Sequence, residues 1–488
     1  MKTQKKNRTM LRYNQLKLVF GVAVVILMIN ACKLPEMTQE GSHASVPDQY
    51  TAGTTDSTNS GKVPWRQYFT DPYLQALIDT ALRNNQELNI TFLEIQMAQN
   101  EVRASKGEYL PSIGLGAGAG FEKTARYTRN GALEATTDIK PDEEFPEPLP
   151  DYMIGAYANW ELDVWKKLRN GKKAAVSRYL ASVEGKNFVV TTLIAEVANS
   201  YYELLALDNQ LINIENNISI LTNALKAVKQ QKEATRVTEL AVKRFEAEVY
   251  DSKSLQFGIQ QEIVEVENRI NFLLGRYSQP IERDASQFIN LIPNAVKSGI
   301  PSQLLENRPD IKQAEQELIA ARLDAKVAKA RFYPSLGLSA GLGFQAFNPE
   351  FLIQSPTSLL YSLAGDLAAP LVNRNAIKAL YFNANSAQLQ AVYYYEQTVL
   401  NAYIEVANQM ALVENLDKSY ELKSKQVDAL AESIDISINL FRSARADYME
   451  VLLTQRDALE ARVELIETKK KQLNAMVGIY HALGGGWE

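Results

Sequence analysis

Few side chains in this 488-residue sequence are equipped for covalent, redox or metal chemistry. Cys32 is the single cysteine, and the two histidines are His43 and His481. A metal site needs several converging His, Cys, Asp or Glu ligands, and neither histidine has such company. Asp and Glu are dispersed at solvent-face spacing, without the paired placement that acid–base catalysis uses. No cofactor is implied, and an enzyme reading has little to stand on. What remains is one thiol, and its neighbours decide its chemistry.

Lys2, Lys5, Lys6, Arg8, Arg12 and Lys17 precede an apolar run from Leu18 to Ile29, and Ala31-Cys32 follows. A basic segment, a short apolar segment and a small residue before the cut describe a secretory signal peptide, residues 1–31. The run is shorter than the roughly 20 apolar residues a membrane-spanning helix needs. Ile29-Asn30-Ala31-Cys32 resembles a lipobox, with Asn30 looser than the usual residue. Cys32 is therefore expected to carry a covalent lipid, leaving no thiol for a disulfide or a metal. Lys33 follows with no acidic retention signal, so lipoprotein sorting points to the outer membrane. Residues 32–64 are expected to form an extended tether, flexible over the Thr-, Ser-, Gly- and Gln-rich stretch 38–62.

Removing residues 1–31 leaves 46 Lys+Arg against 57 Asp+Glu, a net charge of −11. An acidic chain without a basic cluster argues against nucleic acid as a partner.

The chain is duplicated. Residues 84–121 align without a gap on 307–344, at an offset of 223, with twelve of 38 positions identical. A second register of 209 pairs Glu196-Val-Ala-Asn199 with Glu405-Val-Ala-Asn408. The halves are read as 65–280 and 281–488, each a helix, two strands and a long helical hairpin. Long spans without Pro predict helices from Lys167 to a turn near Thr235 and from Arg374 to Ala444, each roughly 100 Å long at 1.5 Å per residue. Val197, Ser200, Leu204, Leu207, Leu211, Ile214, Ile218, Leu221, Leu225 and Val228 advance by alternating threes and fours, a coiled-coil seam. Its counterpart from Val406 to Ser437 has seven apolar residues of ten. The returning legs, 237–274 and 446–482, are about half as long. Segments 72–110 and 309–333 are expected to stack on them end to end.

The repeated phrases YLPSIGLGAGAGF (109–121) and FYPSLGLSAGLGF (332–344) alternate as strands. Ile113, Leu115, Ala117, Ala119 and Phe121 fall on one face, with Gly114, Gly116, Gly118 and Gly120 on the other. A second run alternates from Ile154 to Val164, and a fourth places Tyr361, Leu363, Leu367, Ala369 and Leu371 on one face. Neither phrase contains the G-x-G-x-x-G of a dinucleotide loop. Four strands, apolar on one side and small or polar on the other, suit a membrane barrel but cannot close one alone. The barrel must be shared between copies.

At this point the sequence resembles a known family. Trp65-Arg-Gln-Tyr-Phe69, Asp71, Leu74, Ala81-Leu-Arg-Asn-Asn85, Tyr109-Leu-Pro-Ser112, Ile300-Pro-Ser-Gln-Leu-Leu305, Arg308-Pro-Asp-Ile311, Ala314-Glu315 and Phe332-Tyr-Pro-Ser335 occur in the family's order. They are similar to the outer-membrane efflux proteins related to TolC, in particular the lipid-anchored multidrug exit ducts. The resemblance implies a homotrimer with a 12-stranded barrel in outer-membrane lipid over a 12-helix periplasmic tunnel. Lipid on Cys32 would hold each protomer at the periplasmic leaflet. An inner-membrane efflux pump and a periplasmic adaptor, or membrane fusion protein, would supply energy and docking.

The resemblance also assigns sites. The adaptor-docking tips align at Thr235-Arg236-Val237-Thr238 and Ala444-Arg445-Ala446-Asp447, where relatives usually place glycine at the positions of Thr235 and Ala444. Acidic residues ring the periplasmic aperture in relatives; Glu450 occupies one such place and Leu453 the other, a departure. The acidic, Pro-rich stretch 140–151 reads as an outer-face loop. Passive conduction of small molecules is the favoured function. Metal-ion efflux or type I protein secretion through the same duct is the alternative, and a lipid-anchored periplasmic coiled-coil scaffold is the reading from another class.

Overall fold

A computed structural model describes residues 46–50, 58–291, 297–370, 372, 374–443 and 445–487. Cys32, the signal segment 1–31, Leu371 and Ala444 lie outside the described residues. The chain divides into two compact units, one containing Tyr109–Arg169 and Asp324–Leu389, the other built on the remaining helical stretches.

The first unit holds the strands β1 (Ser112–Glu122), β2 (Leu149–Leu162), β3 (Ser335–Ala346) and β4 (Leu359–Ala368) in one antiparallel sheet, ordered β1-β2-β3-β4. The register carries the apolar face across the whole sheet. Leu115 sits opposite Ala156, Ala156 opposite Leu342, and Leu342 opposite Tyr361. Leu115, Tyr361 and Leu363 on this face are 85%, 77% and 80% exposed. A soluble sheet would bury that face; here it stands open, as a lipid-facing band does. The glycines of β1 and β3 lie on the opposite face with Ser339, Ser362 and Asp366. Gly155 and Gly343 face each other across β2 and β3, and a Cβ on Gly343 would stand 2.5 Å from the Ile154 carbonyl oxygen. The backbones approach too closely there for any side chain.

Two strands are shorter than the alternation predicts. β2 stops at Leu162 because the Asp163 carboxylate accepts from Leu168 N and Arg169 N, capping the helix that follows. β4 stops at Ala368, before Pro370, which has no N–H for a ladder, and Gly365 fills the face position between Leu363 and Leu367. The loop 140–151 is likewise shortened: β2 begins at Leu149, and Asp138–Lys140 pairs with Glu143–Glu144 in a small hairpin.

The longer helices are α1 (Pro72–Asn84), α2 (Gln86–Glu108), α3 (Lys167–Glu233), α4 (Glu239–Leu273), α5 (Pro309–Ala330), α6 (Asn375–Arg442) and α7 (Tyr448–Ala482). At 67 and 68 residues, α3 and α6 are each about 100 Å long. Among the described residues no helix is long and apolar enough to cross a membrane. Along the α3 seam, Val197, Leu204, Ile214, Leu221 and Val228 are buried. The α6 seam is mostly half-buried, with only Val406 and Ser437 fully covered. The second hairpin thus presents more of its seam than the first.

The core of the helical unit gathers the phrase Trp65-Arg-Gln-Tyr-Phe69. Tyr68 stacks on Tyr480 at 4.1 Å and donates to the Met476 carbonyl, while Tyr480 donates to Val63 O at 2.7 Å. Asp71 caps α1 and also accepts from the Tyr201 hydroxyl. The flexibility expected of 38–62 does not extend to its described parts. Tyr50 is buried and stacks on Tyr403, and Ser60 N donates to Lys297 O at 2.8 Å. An aromatic ring and a strand-like bridge pin the segment.

The duplication is visible as two copies of one junction. Gly275 (φ +66°) lies two residues beyond the end of α4, and Gly484 (φ +81°) two beyond the end of α7, 209 residues later. In both, N–H groups beyond the helix return to its last turn, Arg276 to Asn271 and Gly485 to Tyr480. Each glycine lies against the carbonyl of an equivalent asparagine, Asn84 or Asn307, 223 residues apart. The next residue, Asn85 or Arg308, donates to the carbonyl of Leu273 or Ala482. This seats the short helices α2 and α5 on the ends of α4 and α7, as the end-to-end stacking requires.

A Cβ on Gly484 would meet Asn307 O at 2.7 Å in a left-handed conformation. Gly484→Ala is expected to cost at least about 1–2 kcal/mol. Gly258→Ala, inside α4 with open space around it, is expected to gain about 0.5–1 kcal/mol. Thermal unfolding midpoints of the two variants, read side by side, check the opposite signs.

Candidate functional site

The candidate functional features are distributed over the apolar sheet face, the helix tips and the structure that spaces them. In the strand unit, Trp165 stacks on Tyr333 at 4.7 Å and donates to the Pro334 carbonyl at 2.7 Å. Trp160 donates to the Tyr109 carbonyl at 3.1 Å. Aromatic side chains with one polar end satisfied, at one end of an apolar sheet face, are what a membrane–water boundary selects. The sequence does not single out Trp165 or Tyr333, since 169 residues separate Trp165 from Pro334 and only the fold brings them together.

At the tips, each long helix closes with the same bond. Arg236 N donates to Gln231 O and Arg445 N to Leu440 O, both at 2.9 Å and 209 residues apart. Thr235 takes φ +55°, the left-handed conformation that glycine would adopt with less strain. Thr238 and Asp447 cap the returning helices: the Thr238 hydroxyl accepts from Ala241 N, and the Asp447 carboxylate from Tyr448 N at 2.6 Å. Arg236 and Arg445 are exposed. Val237 is half-buried and packs on the cluster of Leu221, Val228 and Phe245, so it anchors its turn. Lys232 pairs with Glu239 across the first turn. Glu450 is exposed on the first turn of α7, and Leu453 is 42% exposed nearly one turn further on.

Where the helix ends meet, a buried ion network appears. Arg308 is 5% exposed and donates to both Asp310 oxygens at 3.0 and 2.8 Å, to Glu405 at 2.7 Å and to the Ala482 carbonyl at 2.8 Å. Burial works against ionisation of Glu405. The His481 hydrogen bond and the Arg308 guanidinium overcome it, holding the carboxyl down at about 2. The equivalent positions of the first half are Glu87, Asn85 and Glu196. Asn85 brings no charge, and burial together with the Glu87 carboxylate raises Glu196. Duplication kept the carboxylates and placed the cation in one copy only.

The model of the outer membrane efflux protein family matches residues 77–276 and 300–485. The chain belongs to that family. It is similar to the pyoverdine export outer membrane protein OpmQ of Pseudomonas aeruginosa, 27% identical over 95% of each chain. It also resembles the cation efflux system protein CusC of Escherichia coli, at 27% over 95% of this chain and 98% of the relative. The probable outer membrane lipoprotein SilC of Salmonella typhimurium is 26% identical over 91% of this chain and 93% of its own. Among solved structures, a membrane protein from Pseudomonas aeruginosa superposes with a TM-score of 0.83 at 24% identity, covering 92% of this chain and 99% of that one. The open state of the Neisseria gonorrhoeae MtrE outer membrane channel gives 0.81 at 23%, covering 93% and 98%. The efflux reading and the outer-membrane location taken from the sequence hold, and the fold is that of these channels. Members of this family are transport channels.

Removing Arg308 would leave two carboxylates and a carbonyl facing one another. Arg308→Ala is expected to cost about 3–5 kcal/mol, as loss of one partner of a buried pair does. The folded-state pKa of Glu405 lies below the ordinary carboxylate value of about 4.3. Its contribution is therefore present above about pH 4.3 and lost as pH falls toward 2. Stability measured from pH 6 to 2 is expected to fall on that limb in the wild type. In Arg308→Ala, which starts less stable, the limb is expected to be shallower.

Proposed function

We propose that three copies of this chain close a 12-stranded barrel in the outer membrane above a 12-helix periplasmic tunnel. Through it, small molecules pass from an inner-membrane pump and periplasmic adaptor to the exterior. The observation that carries this reading is the four-stranded sheet with a continuous exposed apolar face and an unpaired edge at both β1 and β4. In hydrocarbon each edge needs a partner strand, and a second copy of the same sheet offers one. The α6 seam, left half-buried in the single chain, offers further surface for neighbours.

The paired turns at 235–238 and 444–447 are the docking surface for the adaptor, with Arg236, Thr238, Arg445 and Asp447 outward. Glu450 rings the aperture, and Leu453 makes that ring less acidic than in relatives. Three like charges converging in a narrow passage attract cations. Lipid on Cys32 anchors each protomer at the periplasmic leaflet, a reading supported by the lipoprotein among its relatives. The likeness to a cation efflux protein over nearly the whole chain favours metal-ion cargo as the second reading.

Purified protein in a planar bilayer tests conduction directly: discrete channel openings are expected, and a silent membrane contradicts the duct. Glu450→Ala is expected to leave assembly intact while weakening block by divalent cations added on the tunnel side. Unchanged block would remove Glu450 from the aperture.

A further inference from the structure

The two ends of the strand unit carry opposite charge. Residues 163–169, 329–334 and 370–378 join the sheet to its helices, and they hold seven Lys and Arg against one carboxylate, Asp163. The turns at the other end, 123–148 and 347–358, hold four basic residues against seven acidic ones. Most of the cations at that far end are matched. Lys123 and Arg126 pair with Glu147 at 3.6 and 3.1 Å, and Lys140 pairs with Glu143 at 2.5 Å. At the helix end only Lys167 and Arg169 are matched, by Glu161 and Asp163. Lys166, Lys329, Arg331, Arg374 and Lys378 have no carboxylate partner among the described residues. Asp366, near the same end of β4, lies on the glycine-bearing face of the sheet, away from the apolar one.

One of these five cations lines a cavity. The space, of about 230 Å³, has Arg331 in its wall beside Trp165, Tyr333, Pro334, Ile377 and Leu380. The other polar side chains around it are already engaged. Glu161 and Lys167 pair with each other. Asp163 pairs with Arg169 and accepts from Leu168 N and Arg169 N, and the Ser335 hydroxyl donates to the Ala368 carbonyl at 3.4 Å. Arg331 alone brings a charge that no described residue answers. The cavity adjoins the Trp165–Tyr333 stack, at the aromatic end of the apolar sheet face. An unanswered guanidinium next to exposed aromatic and apolar surface suits a phosphate that carries hydrocarbon.

We infer that this cavity holds the headgroup phosphate of an anionic phospholipid, drawn from the membrane leaflet on the helix side. The Arg331 guanidinium meets the phosphate, whose oxygens match its planar fork of donors. Trp165 and Tyr333 mark the level of the glycerol, and the acyl chains continue onto the apolar sheet face. The four other unmatched cations add a positive field that favours a net negative headgroup. A zwitterionic lipid brings the same phosphate, but its own ammonium cancels that attraction. At the 223 offset the first half carries Glu108 where the second has Arg331, so the duplication supplies one site per chain and not two. This site needs the apolar sheet face to lie in lipid, and it does not depend on how many chains close the barrel.

Native mass spectrometry of the detergent-solubilised full chain tests the site. The probes are phosphatidylglycerol, phosphatidylcholine with the same acyl chains, and inorganic phosphate. One phosphatidylglycerol per chain is expected to survive collision voltages that strip phosphatidylcholine, and raised salt is expected to weaken its retention. In Arg331→Gln, phosphatidylglycerol occupancy is expected to fall at least about fivefold while phosphatidylcholine is unchanged. Lys166→Gln combined with Lys378→Gln, which leaves the cavity wall intact, is expected to lower it about twofold. Arg126→Gln, at the far end of the sheet, is expected to leave it unchanged. Circular dichroism identifies variants that keep the fold, and the particle mass reports the number of chains separately from the lipid adducts. Equal retention of the two lipids, unchanged phosphatidylglycerol in either helix-end variant, or an equal loss in Arg126→Gln would each overturn the site. Displacement of the lipid by millimolar inorganic phosphate would assign the cavity to a free anion and overturn the lipid as its occupant.

Discussion

Backbone N–H and C=O groups cannot stand unpaired in hydrocarbon, and most of what this chain is follows from that constraint. A protomer brings four strands whose apolar face is continuous but whose outer strands, β1 and β4, each end the sheet. In the proposed trimer, neighbouring copies complete the sheet. On the opposite face, glycine at 114 makes room for the Tyr157 ring, and at Gly155 and Gly343 it permits the close backbone approach between the middle strands. Under that proposal, the unpaired edges and the open apolar face answer one solvent problem together.

The helical unit solves a different problem, which is holding long helices in register when most of their surface is polar. Coiled-coil seams supply the lateral contact. The ends are fixed by two copies of one junction, in which a left-handed glycine admits an asparagine carbonyl and the next residue ties the helix end. In the second copy that residue is Arg308, and its carboxylate partners make the joint ionic. A buried ion pair is weak evidence for stability but strong evidence for specificity of placement, since its loss strands charge. The first copy, with Asn85, keeps the same geometry through a neutral amide.

Local periodicity was legible because it needs no knowledge of the partner. The alternation of β1 and β3, the 3.5-residue seam of α3 and the repeat offsets of 223 and 209 could all be read residue by residue. Strand ends were less legible: Asp163 leaves β2 to cap α3, and Pro370 curtails β4. The tips were located, but not that Thr235 is left-handed or that Val237 turns inward. The Arg308 network was hidden because, besides Asp310, its partners Glu405 and Ala482 lie 97 and 174 residues away in sequence.

The claim on which the account stands is that the sheet closes between chains. Native mass spectrometry of the detergent-extracted, membrane-derived protein measures this directly. The account predicts a particle of three chains, each with its signal segment removed and its lipid attached. A particle of one chain, stable in mild detergent and conducting in a bilayer, would contradict it.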